Sequence, residues 1–335
     1  MIEQTIPKSL LELAEVQQES QDKLLEYNNV VGVSLGQKIK KDTESDQPVI
    51  SVLVSQKMPR ELLSENDRVP AKIKGIATDV VEVGDIFAGS GQPALADSDD
   101  QPLEMPGPQT LRRRVRPAMG GYSVGHYRIT AGTLGTCCYD LSPFPSIPSK
   151  YYILSNNHVL ANSNNARIGD PILQPGPIDG GTYPSDVIAR LSRFVPIRFK
   201  SPGAAPCNYV DAAIAEGDFE NLNREIYWSG YVTKLYAAPK VGDIVQKTGR
   251  TTNFTTGRVT NINATVDVNY GGGKVARFCR QIVTTAMSAG GDSGSLVSDR
   301  NEGAVGLLFA GSATRTIINN ILYVQSLLNI RVTEL

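Results

Sequence analysis

The stretch Ala289-Gly290-Gly291-Asp292-Ser293-Gly294-Ser295-Leu296-Val297 sets a serine between glycines and runs directly into an apolar strand pattern. Glycines on both sides let the backbone turn tightly and aim consecutive N–H groups one way, as a hydroxyl nucleophile beside a developing oxyanion requires. A Gly-rich hairpin loop without chemistry has the same pattern, so the partners must be sought elsewhere in the chain. Acyl transfer at neutral pH also needs an imidazole to take the serine proton and a carboxylate to orient that imidazole. Two upstream segments offer them. Leu154-Ser155-Asn156-Asn157-His158-Val159-Leu160 follows the strand pattern Tyr151–Leu154 with small polar residues and a histidine. Tyr209-Val210-Asp211-Ala212-Ala213-Ile214-Ala215 sets one acid before an apolar strand, where a buried carboxylate is costly without a partner. Singly, His158 reads as a core or turn histidine and Asp211 as an ordinary strand-start acid. Together with Ser293 they form an ordered His, Asp, Ser set.

Composition narrows the alternatives. The chain has 335 residues, with 33 Lys+Arg against 34 Asp+Glu, so no global charge draws it to nucleic acid or an anionic membrane. A hydrophobic share of 41% with 20% charged residues allows a sizeable core and excludes wholesale disorder. No apolar run approaches the length of a spanning helix, and Met1–Ser20 lacks a basic segment followed by an apolar one, which predicts a cytoplasmic chain. Cys137, Cys138, Cys207 and Cys279 form no CxxC pair, and His126 and His158 lie far from the last two in sequence. They read as free buried or semi-buried thiols, with no metal site and no cofactor.

The texture of the chain predicts three parts. Residues 1–87 form a small α/β unit. It has an amphipathic helix over 8–27 with Ser9 as N-cap, then strands at Val30–Leu35, Val49–Val54 and Thr78–Val83. Residues 88–118 carry five prolines, the acidic Asp97–Asp100 patch and the basic run Arg112-Arg113-Arg114 with Arg116, and read as an extended linker. The basic run fits a solvated tether, a nucleic-acid arm or a processing site. Residues 119–335 show short β-runs between Gly, Pro and Asn, including Gly132–Thr136, Gly230–Leu235, Ile244–Lys247, Gly257–Thr260 and Gly303–Ala310. One late helix spans Asn320–Leu328. Many short strands with turn signals between them indicate a β-sandwich or barrels.

The three chemical segments resemble the chymotrypsin-like (trypsin-like) serine peptidases, whose fold is two six-stranded β-barrels with the site in the cleft between them. The resemblance covers about 119–335. It implies a mostly-β double barrel with a C-terminal helix behind a small α/β unit. It makes His158 the general base, Asp211 its orienting carboxylate and Ser293 the nucleophile, with the N–H groups of Gly291 and Ser293 as oxyanion hole. Lys247-Thr248-Gly249-Arg250-Thr251-Thr252 is similar to the second-barrel segment of the bacterial alpha-lytic protease and streptogrisin group. That group places a disulfide-bonded cysteine a few residues later. Asn253-Phe254-Thr255-Thr256-Gly257 has none, in keeping with a reducing compartment.

The resemblance also sets Met287 at the base of the primary specificity pocket. An acid there would read Arg or Lys, and glutamate readers use a histidine after the serine; neither is present, which leaves small or apolar side chains. The strand Leu307–Gly311, with Phe309 and Gly311, would bind substrate backbone as an added strand. Phe309 stands where the family usually has a serine that supports the aspartate. In animal members the counterpart of Asp292 is paired by a new N-terminus. Ala118-Met119-Gly120-Gly121 is similar to such a start, with a glycine turn entering the first barrel as the alternative. The partner implied is a polypeptide substrate, with no nucleic acid and no membrane, and with residues 1–87 able to regulate the site from within the chain. The competing reading is a catalytically silent, peptide-binding scaffold of the same fold.

Overall fold

The computed structural model describes residues 5–40, 43–89, 111–141 and 148–333. The acidic patch 97–100 and most of the expected linker lie outside them.

Six antiparallel strands close the second barrel. In ring order they are Ile244–Gly249, Asn253–Asn269, Val275–Thr285, Arg315–Asn320, Gly303–Gly311 and Leu296–Asp299, which pairs back to Ile244–Gly249. The first barrel runs Ser123–His126, Pro171–Leu173, Val187–Phe194, Ala213–Gly217, Tyr151–Ser155 and Thr136–Asp140. Gly132–Thr133 pairs with Ser123–His126, and the bonds Leu134 N–H to Tyr122 O and Gly135 N–H to Leu154 O carry that strand into Thr136–Asp140 and complete the ring. Closure leaves a barrel without a free edge, which many short, Gly-punctuated strands require. The Ala213-Ile214-Ala215 run shows the packing logic. Its alanines join the first-barrel core with Leu134, Ile153 and Leu191, while Ile214 points the other way, into the cluster of Ile321, Val324 and Leu328. A strand buried on both faces reads as a continuous apolar run.

The final helix, Ile321–Leu328, follows the expected position. Its N-cap Asn320 accepts a bond from Leu322 N–H at 3.0 Å, and Asn329 ends it with φ of 53°.

The N-terminal helix spans Leu11–Leu24 behind a 3-10 turn, Lys8–Leu10. Ser9 therefore sits inside that turn and makes no cap, because helical geometry already begins after Pro7. Val30–Lys40 and Thr43–Val54 are longer than the apolar runs that signal them, and pair as a hairpin. Ile76–Glu82 adds to Thr43–Val54 in parallel. The free side of Val30–Lys40 pairs antiparallel with Asn253–Asn269, Val33 opposite Thr265 and Leu35 opposite Ile262. Val33, Leu35 and Ile50 share one buried cluster with Val259, Ile282 and Leu308 of the second barrel. Gln17 is buried and bridges the helix to that sheet, donating to Val33 O at 3.0 Å and Asn263 O at 2.8 Å.

Two expectations are corrected. Cys207 and Cys279 are joined in a disulfide rather than held as free thiols, with Cα atoms 5.8 Å apart. They are 72 residues apart in sequence, but Cys207–Asn208 pairs parallel with Arg277–Phe278, next to Cys279. Cys137 and Cys138 are free and buried, and burial pushes the Cys137 thiol up to about 12. Gly230–Leu235 is a strand only at Lys234–Leu235, since Gly230 takes φ of 76° in a turn with Ile226.

The basic run lies against the first barrel. Arg114 pairs with Asp186 at 3.2 Å, Gln174 donates to Arg113 O at 2.9 Å, and Arg116 donates to Gln174 O at 3.2 Å. Burial lowers the Arg116 pKa. Ala118–Gly120 is a strand, and Ala118 is fully buried.

Candidate active site

The polar residues of the Ser155–His158 segment each anchor the turn that carries the imidazole. Ser155 Oγ donates to Thr133 O at 2.7 Å and Asn156 Nδ2 to Asp211 O at 2.7 Å. Asn157 Nδ2 donates to Val195 O at 2.7 Å. All three are fully buried, so each polar group needs its partner, and together they fix a one-turn helix, Asn157–Leu160.

That turn brings His158 onto Asp211. His158 Nδ1 lies 2.6 Å from Asp211 Oδ2, and the His158 backbone N–H donates to Oδ1 at 3.1 Å. Asp211 is completely buried, and its own N–H donates to Asn319 Oδ1 at 2.9 Å. An acceptor-only carboxylate on Nδ1 makes that nitrogen the donor and leaves the Nε2 lone pair free. Nε2 is buried without a hydrogen-bond partner among the described residues.

Tyr270 supplies the donor to Asp211 that the resemblance places at position 309 as a serine. Its hydroxyl donates to Asp211 Oδ2 at 2.6 Å. Burial, then the Asp211 charge and this bond, raise the phenol pKa well above its ordinary value, so it remains a donor. Tyr270 stands on the hairpin after Asn253–Asn269, edge-on to Phe199 at 5.5 Å and stacked on Phe278 at 6.2 Å. Phe309 packs against Phe278 at 4.6 Å. No signal in the sequence marks Tyr270, because the contact spans 59 residues.

The Ser293 loop is held from several directions. Asp292 is fully buried and accepts from Thr251 N–H at 2.8 Å, Thr252 Oγ1 at 2.6 Å and Ala289 N–H at 3.0 Å. Lys247 Nζ, also fully buried, lies 3.4 Å from Asp292 Oδ2, and burial lowers its pKa. Asp292 thus meets an internal lysine within the second barrel. Arg250 grips Asp179 of the first barrel through two bonds, and its N–H donates to Thr133 Oγ1 at 3.0 Å. Thr133 Oγ1 in turn donates to Gly291 O at 2.9 Å, and Thr133 N–H to Ser293 O at 2.8 Å. Gly291 has φ of 98° and Gly294 of 97°. A Cβ on Gly294 would lie 2.0 Å from Ser155 Oγ and 2.3 Å from Thr133 O, so only glycine lets the loop approach the first barrel.

Ser293 is 1% exposed, and its hydroxyl donates to Phe309 O at 3.4 Å. A Cβ on Gly132 would touch both Val159, next to His158, and the Ser293 carbonyl, so both approach the space beside Gly132. Met287 is buried in the core cluster against Gly257, and Thr255 Oγ1 donates to its carbonyl at 2.7 Å. Gly311 lies on the Gly303–Gly311 strand, opposite Thr316 on one side and Phe87 on the other.

The fold is a chymotrypsin-like pair of barrels, here with a small α/β unit ahead of it. Residues 6–84 match the family model described as the NARROW LEAF 1 N-terminal domain. A 54-residue stretch is 54% identical to glutamyl endopeptidase 2 of Streptomyces griseus, covering 16% of this chain and 26% of that relative's length. Among solved structures, Thermobifida fusca protease A is similar at 16% identity over 64% of this chain and 96% of its own, with a TM-score of 0.44. A glutamic acid specific serine protease that uses a histidine triad in substrate binding is similar at 20% identity over 64% and 98%, also with a TM-score of 0.44.

Proposed function

We propose that the protein is a serine endopeptidase working through His158, Asp211 and Ser293, and held latent by its N-terminal unit. The observation that carries this reading is the 2.6 Å contact between His158 Nδ1 and the buried Asp211, which leaves Nε2 free as a base. In the reaction, Ser293 Oγ attacks the scissile carbonyl while its proton passes to Nε2. The N–H groups of Gly291 and Ser293 receive the oxyanion, and the loop needs no reorganisation because Asp292, Lys247 and Thr133 already hold it. The tetrahedral intermediate collapses to an acyl-enzyme as Nε2 returns the proton to the leaving amine. Water then attacks the ester by the same steps in reverse. Asp211 keeps the imidazole in one tautomer and stabilises the imidazolium.

Small or apolar residues fit the primary pocket best, since no histidine follows His158 in the chain.

Prolonged incubation with a fluorophosphonate probe, read by intact mass, tests the reading. A probe-sized gain that is lost in Ser293→Ala is expected. Absence of any gain in a folded chain would leave the peptide-binding scaffold.

A further inference from the structure

The edge of the Gly303–Gly311 strand, where substrate backbone is expected to add, is already taken by this chain. Phe87–Ala88 pairs with it antiparallel, Phe87 opposite Gly311 and Ala88 opposite Ala310. Phe87 also pairs with Asn269, whose N–H donates to Ile86 O at 2.9 Å. Upstream, Val83 N–H donates to Val54 O at 2.9 Å, and Val83 O accepts from Thr314 Oγ1 at 3.1 Å. The segment is therefore tied at both ends of a short path that leads from the N-terminal unit into the cleft.

Register gives the direction of travel. One residue beyond Ala88 the chain stands level with Phe309, the residue whose carbonyl accepts the Ser293 hydroxyl. That next residue is Gly89, and a Cβ on it would lie 3.4 Å from His158 Cδ2 and 3.5 Å from Nε2. Three consecutive residues thus run along the strand toward the nucleophile and base, as the acyl side of a bound peptide would. Ala88 is buried and belongs to one apolar cluster with Phe278, Phe309 and Ile197. At Gly89 the path changes. Its φ is +64°, outside the extended range, a conformation that glycine adopts at little cost and other residues do not. The occupant follows a substrate's route for two residues and leaves it at the reacting position.

We propose that Phe87–Ala88–Gly89 is a built-in, non-productive occupant of the acyl-side groove, and that the peptides accepted once it leaves carry an alanine-sized residue two positions before the cleaved bond. This rests on the serine-peptidase reading and names both its regulation and its substrate class.

The test compares the full-length protein with Phe87→Pro, which removes a strand N–H, and Gly89→Val, which a positive φ opposes. Melting curves check that both fold. Fluorophosphonate labelling of Ser293 should be at least about tenfold faster in either variant than in the parent, a free-energy difference of about 1.4 kcal/mol in the barrier. Acetyl-Ile-Phe-Ala-Gly added to Phe87→Pro should slow labelling again, and acetyl-Ile-Phe-Trp-Gly should not. Equal, fast labelling of parent and variants would overturn the occupant while leaving the peptidase reading intact. Faster labelling with no effect of the alanine peptide would overturn the substrate pattern. No labelling of any folded form would remove the peptidase reading and this inference with it.

Discussion

Tyr270 and Phe309 show how a single exchange is compensated at the residue scale. With phenylalanine at position 309, no hydroxyl from that position can donate to Asp211, and the Tyr270 hydroxyl, on the hairpin after Asn253–Asn269, donates to it at 2.6 Å. A hydrogen bond to a charged group contributes about 1.5–3 kcal/mol. Tyr270→Phe keeps the ring contacts with Phe199 and Phe278 and removes only that bond. It is expected to lower kcat by about tenfold or more with KM within about twofold, the split for an interaction that matters most in the transition state. Steady-state kinetics in the Phe87→Pro background checks this; a rise in KM alone would assign Tyr270 to binding instead. The segments of His158 and Ser293 stand out because small polar or glycine residues cluster around them in sequence, and that of Asp211 because one acid precedes an apolar run. Tyr270 and Lys247 do not, since a tyrosine after a strand and a lysine inside one carry no local pattern.

At the scale of elements, strand Ser123–His126 ends on a buried histidine with a second kind of role. Arg128 N–H donates to His126 Nδ1 at 3.2 Å, so Nε2 carries the proton and meets Asp170 at 3.0 Å. Burial lowers the His126 pKa, outweighing the opposing pull of Asp170, with Arg128 adding to the lowering. Below pH 6.5 the unfolded chain takes up this proton before the folded one does, so stability falls as pH drops from there toward the depressed folded value. Melting temperature should decline over that range in the parent and less steeply in His126→Asn; parallel curves would remove His126 as the source. Strand lengths illustrate the limit of periodicity. Gly257–Thr260 was legible as a strand, yet the element runs from Asn253 to Asn269. Its register shifts opposite Val275–Thr285 break the alternation that a sequence pattern depends on.

For the whole molecule, the decisive fact is that the N-terminal unit and the second barrel share a sheet and a core. Val30–Lys40 covers the side of Asn253–Asn269, and Leu35 and Val33 pack with Val259, Ile262 and Ile282. Removing the unit would put that apolar face and an unpaired strand edge into water. A chain beginning at residue 111 should therefore bind a hydrophobic dye, self-associate and melt earlier than the full chain. A soluble monomer of unchanged melting temperature would refute the shared core, and point variants in 87–89 remain the cleaner way to open the cleft. The amino-acid order by itself determined the mostly-β class, the late helix and the His, Asp, Ser segments, because these rest on local composition, turn chemistry and short motifs. Tertiary structure alone decided the Cys207–Cys279 link, the Lys247–Asp292 and Tyr270–Asp211 contacts, and the seat of Phe87–Ala88 beside Gly311. Each joins residues whose distance along the chain carries no energetic signature until barrel closure brings them together.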